Sequence, residues 1–336
     1  MKFGPVPVAQ SSGKILAHNI SGQNGRRVFR KGKTISAQDI DALLKEGYTS
    51  VYTAEIEPGD VEEDRAARQV AEAAMGEGLF LKGPSDGRVN LIAQYKGVLE
   101  VDSARLDRMN ECQGITFATL RSKTVVRPGQ VVCTVKIIPY AVPAALLEQA
   151  KQTAWGDDPL IQVKALKPKQ VGLVISGELN TREQLLAGYK SPLKKRIEAY
   201  GSHIAALDFV RLVGDRDEER LAEAIHRQIE QGIDLVVLAS ETSTMDPNDV
   251  LPRAILGAGG QVACVGAPVD PGNLLMLAYL NEVPLLGVPG CARSPKENVI
   301  DWVLPALLAG SHLTGRDIAR LGYGGLLEEL AVVNDG

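Results

Sequence analysis

The sequence predicts an α/β protein whose C-terminal half is a three-layer domain with a mainly parallel sheet, preceded by an α+β domain. Three observations lead there. In the second half, short β-branched apolar runs alternate with helix-length periodic segments, the pattern that parallel βαβ units require. Those runs are apolar at nearly every position, as strands covered on both faces are. The first half instead places two capped helices ahead of several short strands. The expected domains are residues 1–165 and 166–336. The connection falls in residues 151–170, where Gly156-Asp157-Asp158-Pro159 and the run KALKPKQ break the periodicity.

In the first half, Ser36 and Asp39 have capping-box spacing ahead of Ile40, Leu43 and Leu44, with Gly47 as the stop. Asp60 and Glu63 have the same spacing ahead of Ala66, Ala67, Val70 and Ala74, and Glu62, Glu63 and Asp64 read as a solvated helix start. Strands follow at 48–56, 97–102, 116–120 and 131–139, the last entered through the turn Arg127-Pro128-Gly129-Gln130. In the second half, strands are expected at 171–177, 205–213, 233–240, 261–268 and 283–290. Asp215 and Glu218 cap a helix with Leu221, Ala224, Ile225 and Ile229 on one face and Gly232 at its end. Further helices span 181–200 and 297–309, the second bent or restarted at Pro305, which lacks the amide a helix interior needs.

A chain of 336 residues, 45% apolar and 23% charged, has the composition of folded globular domains. Its 37 basic and 41 acidic residues disfavour a nucleic-acid partner bound through bulk electrostatics. Basic side chains gather along one predicted helix near residues 190–196. The N-terminus lacks the marks of a secretory signal, and no apolar run approaches the roughly 18 residues of a membrane span. The expectation is a cytoplasmic protein without a membrane partner. The four cysteines and four histidines have no zinc-ligand or disulfide spacing.

Open α/β sheets bind ligands beyond the carboxyl ends of their strands, so three loops of the second half carry the candidate chemistry. The first is Ser176-Gly177-Glu178-Leu179-Asn180-Thr181, with a hydroxyl, a flexible backbone and helix-start amides suited to an anionic group; its plain alternative is a turn with an Asn or Thr cap. The second, Ser240 to Asp249, gathers four hydroxyls and three carboxylates after an apolar strand. Ser240, Thr242 and Ser243 suit phosphate oxygens, and Asp246 with Asp249 suits Mg²⁺. Alternatively Asp246-Pro247 forms a turn and Asp249 caps the next helix. The third, Val288 to Pro295, lets backbone approach a ligand at Gly290 and offers Arg293 and Ser294 to an anion. Cys291 reads as packing, with no histidine nearby in sequence to activate it.

Together the three loops resemble the molybdopterin-binding domain shared by molybdopterin adenylyltransferases and molybdopterin molybdenumtransferases. Ile175-Ser176-Gly177-Glu178-Leu179 is similar to that family's Thr-Gly-Asp-Glu-Leu segment, Ser240–Asp249 to its glycine-rich and acidic loop, and Val288-Pro289-Gly290-Cys291-Ala292 to its Leu-Pro-Gly-Asn-Pro loop. The likeness covers roughly residues 170–325. Ser240 and Glu241 stand where the family has two glycines, and Cys291 where it has asparagine. A carboxylate at 241 repels phosphate unless it points away or completes a metal site. Lys31-Gly32-Lys33-Thr34-Ile35 and Gly13-Lys14-Ile15-Leu16-Ala17 also resemble segments of the molybdenumtransferases, whereas Asp86-Gly87 falls out of order and takes no role from them.

The resemblance implies a molybdopterin-binding protein of molybdenum cofactor biosynthesis, taking molybdopterin or its adenylylated form in a homo-oligomer. In one version it is a Mg²⁺-dependent transferase of nucleotidyl groups or molybdate, with a nucleotide partner and Asp246 and Asp249 as catalytic and metal-holding residues. In the other it is a non-catalytic carrier or sensor that hands the pterin to a molybdoenzyme. A pyridine-nucleotide or sugar-phosphate enzyme is disfavoured, because no strand is followed by GxGxxG.

Overall fold

The computed structural model describes residues 1–214 and 216–327. The chain divides into two compact units. The first takes Met1–Tyr95, Leu99–Ser122 and Val126–Val163; the second takes Lys96–Val98, Lys123–Val125 and the chain from Lys164 onward.

The first unit is α+β. Strands Lys2–Pro7, Ser50–Glu55 and Ile15–Leu16 form a small antiparallel sheet. Helix Ala37–Lys45 carries the Ser36/Asp39 capping box and buries Leu43 against Val8, Leu16, Ile35 and Val51. A second antiparallel sheet runs Ile115–Thr119, Val131–Ile137, Arg88–Ala93 and Leu79–Ser85 in spatial order. Ala66, Ala67, Val70 and Ala74 of helix Glu63–Ala74 join the core shared with this sheet.

The start of helix Glu63–Ala74 departs from expectation. Glu62 is its cap, while Asp60 binds the N-terminal ammonium at 2.7 Å. Glu63 is not solvated: it pairs with Lys136 at 3.3 Å, and burial pushes its carboxyl above the ordinary glutamate value despite that partner. Asp64 accepts the Gly87 amide at 2.6 Å, fixing the Asp86-Gly87 hairpin turn, in which both residues have positive φ.

The second unit is α/β, built on a six-stranded mixed sheet. Its elements are β1 (Gln170–Gly177), α1 (Arg182–Ala199), β2 (His203–Arg211), α2 (Asp217–Glu230), β3 (Leu235–Ser240), α3 (Val250–Gly257), β4 (Gln261–Val265), β5 (Met276–Leu280), β6 (Val283–Gly287) and α4 (Val299–Leu308). The spatial order is β2-β1-β3-β6-β5-β4. The ladders β2–β1, β1–β3 and β3–β6 are parallel; β6–β5 and β5–β4 are antiparallel. The sheet is therefore mixed: the parallel part expected from sequence runs β2-β1-β3-β6, and β5 is an additional strand that reverses. Its hairpin with β6 turns on Asn281 and Glu282, with φ of 48° and 66°, the left-handed pair that a two-residue turn between twisted strands needs.

Alternation along β1 sends side chains to two cores. Val171, Leu173 and Ile175 pack with Leu185, Tyr189, Leu193 and Ile197 of α1 and with α4, while Val174 packs with Leu221 and Ile225 of α2 and Ile255 of α3. Helix α4 runs through Pro305 as one element instead of restarting there.

The expected Asp215 cap lies outside the described residues. Arg216 occupies the cap position with φ 60°, and Asp217 accepts the amides of Val213 and Gly214 at 2.9 Å each. Burial alone would raise the Asp217 carboxyl, but these amides and Arg220 together hold it below the ordinary aspartate value. A depressed carboxylate adds stability above its unfolded value of about pH 3.9 and loses it as pH falls through its folded value. Asp217→Asn should therefore unfold at lower urea concentration than the parent at neutral pH. The gap should narrow as pH falls below the unfolded value and close once pH passes below the folded one.

Among the described residues, no helix is long and apolar enough to cross a membrane.

Candidate functional site

The three candidate loops leave the carboxyl ends of β1, β3 and β6, which lie side by side. Ser176 of β1 is in register with Ser240 of β3, and Leu238 of β3 with Gly287 of β6. The Val288 amide continues the last ladder onto the Leu238 carbonyl at 2.8 Å. The chain leaves β1 to one side, for β2, and returns on the other, for β3. The crevice between β1 and β3 is thus the switch point at which open α/β sheets bind ligands.

That crevice holds the side chain of Glu241. Its amide donates to the Ser176 carbonyl at 2.8 Å, and its Oε2 accepts the Glu178 amide at 2.8 Å and the Thr181 hydroxyl at 2.9 Å. Gly177 makes room for it: a Cβ there would stand 2.8 Å from Glu241 Oε2 and 2.6 Å from Leu185 Cδ1. Ser176 is buried, while Glu178, Leu179 and Asn180 are exposed.

Arg293 lies against α1. Its guanidinium stacks on the buried Tyr189 ring, 4.5 Å from the centroid, and donates to the Tyr189 hydroxyl at 3.2 Å. Tyr189 in turn reaches the Ser240 carbonyl at 3.4 Å, tying the third loop to the second. Gly188 leaves space for this arrangement, since a Cβ there would meet Arg293 Cδ at 3.4 Å. Arg293 is exposed, and the guanidinium donors not used on Tyr189 are open to an anion. Gly290 is exposed, and a Cβ at this position would meet nothing within 4 Å, so its small size is not forced by neighbouring protein atoms.

The third loop is held from behind by Arg196, a residue that the sequence presents only as part of a basic helix. Its side chain is 9% exposed; it bonds Asp301 at 2.9 Å and the carbonyls of Ala292, Ser294 and Lys296 at 3.2, 2.9 and 3.0 Å. Asn298 and Asp301 form the capping box of α4, and Asn298 Nδ2 also donates to the Cys291 carbonyl at 3.3 Å. Ser294 Oγ accepts the Lys296 amide at 3.1 Å. Burial pushes the Cys291 thiol above the ordinary cysteine value, which keeps it protonated and a poor nucleophile at neutral pH.

The acidic end of the second loop serves local structure. Asp246 Oδ1 accepts the amide of Asn248 at 2.8 Å and its side-chain nitrogen at 2.9 Å, the turn role that the sequence offered as the alternative to a ligand site. Asp249 caps α3: Oδ1 accepts the Val250 amide at 2.8 Å and Oδ2 the Met245 amide at 3.1 Å. Among the described residues, no three His, Cys, Asp or Glu side chains gather as a metal site. Asp246 Oδ1 and both Asp249 carboxylate oxygens thus accept donors of their own loop. As a cap, Asp249→Asn should leave stability nearly unchanged, whereas Asp249→Ala should cost about 0.5–2 kcal/mol in chemical denaturation. Thr242 is exposed and Ser243 half-buried in the same loop, and Leu179 and Met245 expose apolar surface, 59% and 73%, on the first and second loops.

Residues 5–55 match a family model described as a domain of unknown function, DUF8806. No curated protein matches the chain. Among solved structures it is similar to a molybdopterin biosynthesis MoeA protein from Pyrococcus horikosii, at 14% identity over 94% of this chain and 76% of that one, with a TM-score of 0.31. It is also similar to a molybdenum cofactor biosynthesis protein from Pyrococcus furiosus, at 12% identity over 93% and 66% of the two chains, with a TM-score of 0.26. The structure of a molybdenum cofactor biosynthesis protein B matches 42% of this chain and 96% of its own, at 13% identity and a TM-score of 0.30. Superpositions this loose leave function to be argued from the chain's own residues.

Proposed function

We propose that this chain binds molybdopterin, or its adenylylated form, in the loops after β1, β3 and β6, and serves molybdenum cofactor assembly as a non-catalytic carrier or sensor. One observation carries the reading. The three segments that resemble the molybdopterin-binding family, far apart in sequence, leave the carboxyl ends of three neighbouring strands. Arg293, held on Tyr189, supplies the charge for the ligand's phosphate, and its planar fork suits oxyanion geometry. Exposed Leu179 and Met245 supply apolar surface of the kind a heteroaromatic ring covers.

The carrier is favoured over the transferase by the acidic residues. Asp246 Oδ1 and both Asp249 oxygens serve a turn and a cap, and Glu241 places a negative charge in the crevice where a transferred phosphoryl group would need a positive one. Assembly as a homo-oligomer and delivery to a molybdoenzyme belong to the same proposal.

A thermal-shift panel separates the two versions, because a ligand that binds only the native state raises its melting temperature by mass action. Molybdopterin alone should stabilise the protein, and ATP or molybdate with Mg²⁺ should not. Stabilisation by ATP with Mg²⁺, abolished by Asp246→Asn, would restore the transferase.

A further inference from the structure

We infer that Glu241 is the specificity-determining residue of this site: its carboxylate fills the crevice between β1 and β3, so a bound ligand's anionic group is read at Arg293 and excluded from the turn after β1. The inference rests on the proposed location of the site and goes beyond it in fixing which end of the crevice accepts charge.

Two separate features support it. The first is topological: the β1–β3 crevice is the switch point of the sheet, the place where a ligand is expected, and the chain's own carboxylate occupies it. The second is the fit. Glu241 Oε2 takes both the Glu178 amide and the Thr181 hydroxyl, two donors of the turn that an oxyanion could otherwise use. Gly177 has no room for a side chain: a Cβ there would lie 2.6 Å from Leu185 Cδ1 and 2.8 and 3.1 Å from Glu241 Oε2 and Cβ. The missing side chain at 177 therefore accommodates Glu241 and does not open the turn to a phosphate.

A phosphate entering this turn meets a like charge at contact range and finds the Glu178 amide and Thr181 hydroxyl already taken. Arg293 offers the opposite: an exposed guanidinium, anchored through its face and one nitrogen on Tyr189, with its other donors free for an oxyanion. The ligand class that follows carries its anionic group at the β6 side of the site. It presents a neutral or hydrogen-bond-donating edge to Glu241.

The test uses the full chain and inorganic phosphate, followed by amide chemical shifts in ¹H–¹⁵N spectra. In the parent, phosphate should move the Glu178 amide only at concentrations about fivefold above those that act on Glu241→Ala. In Glu241→Ala the same amide should shift saturably, with phosphate affinity raised about fivefold, the effect of relieving roughly 1 kcal/mol of charge interaction. Glu241→Ser serves the same purpose should the alanine variant fail to fold. A parent Glu178 amide that shifts at the same phosphate concentrations as the variant's overturns the inference, and so does a folded variant whose Glu178 amide stays still. Because no pterin is present, the outcome is separate from the proposed function: a chain that fails to bind molybdopterin can still exclude phosphate at Glu178, and one that binds it can fail to.

Discussion

Replacing Arg196 by alanine should destabilise the second unit by about 1–3 kcal/mol, the cost of leaving half-buried, charge-assisted hydrogen-bond partners without their donor. The guanidinium meets the Asp301 carboxylate and three carbonyls of the loop after β6, and only 9% of its side chain reaches solvent. Alanine leaves these acceptors without their donor inside the protein, whereas a surface arginine would lose almost nothing. Arg196→Lys should recover only part of the loss, because an ammonium has three donors and no planar fork to span a carboxylate and three carbonyls. Urea denaturation of the parent and both variants gives the ordering. An alanine variant within about 0.5 kcal/mol of the parent would show that the network is not holding the loop.

Arg293→Ala should behave in the opposite way. The side chain is exposed, so its loss costs little more than the cation–π contact with Tyr189, about 0.5–1 kcal/mol. Binding should suffer far more. A charge-assisted hydrogen bond is worth about 1.5–3 kcal/mol, which corresponds to roughly a ten- to hundredfold loss of affinity for a phosphate-bearing pterin. Arg293→Lys should fall between, keeping the charge but not the stacked fork. Fluorescence titration of the pterin alongside a melting curve for each variant separates the two effects. Equal affinity in parent and Arg293→Ala removes this residue from the site.

The legible parts of the fold were those fixed by short-range chemistry. The Ser36/Asp39 capping box was readable because both of its hydrogen bonds join residues three apart. The core strands β1, β3 and β6 were readable because strands covered on both faces are apolar throughout. What escaped were features settled by tertiary packing. Residues 276–280 lie in a long apolar stretch whose hairpin turn uses Asn281-Glu282 without glycine, so nothing local announced that β5 reverses. The hairpin at Asp86-Gly87 was also missed, since its strands carry Gly83 and Pro84.

The same division holds for the site. The spacing of the three loops brought Ser176, Ser240 and Arg293 into view as candidates, but the direction of a side chain is not written in spacing. Glu241 turns into the crevice because Gly177 leaves space and two donors wait there. Arg196 looked like one more charge on a basic helix until its carbonyl partners, about a hundred residues away, came beside it. Asp246 looked free because its turn partner, Asn248, is a neighbour whose role depends on loop geometry.

The central claim is that this chain holds molybdopterin without a metal at Asp246 and Asp249, and equilibrium titration of the reduced pterin into the purified protein, with Mg²⁺ and then with a chelator, tests it most directly. The account predicts saturable binding with the same dissociation constant in both conditions, and unchanged binding in Asp246→Asn. Absence of saturable binding, or binding that requires Mg²⁺ and fails in Asp246→Asn, would contradict it.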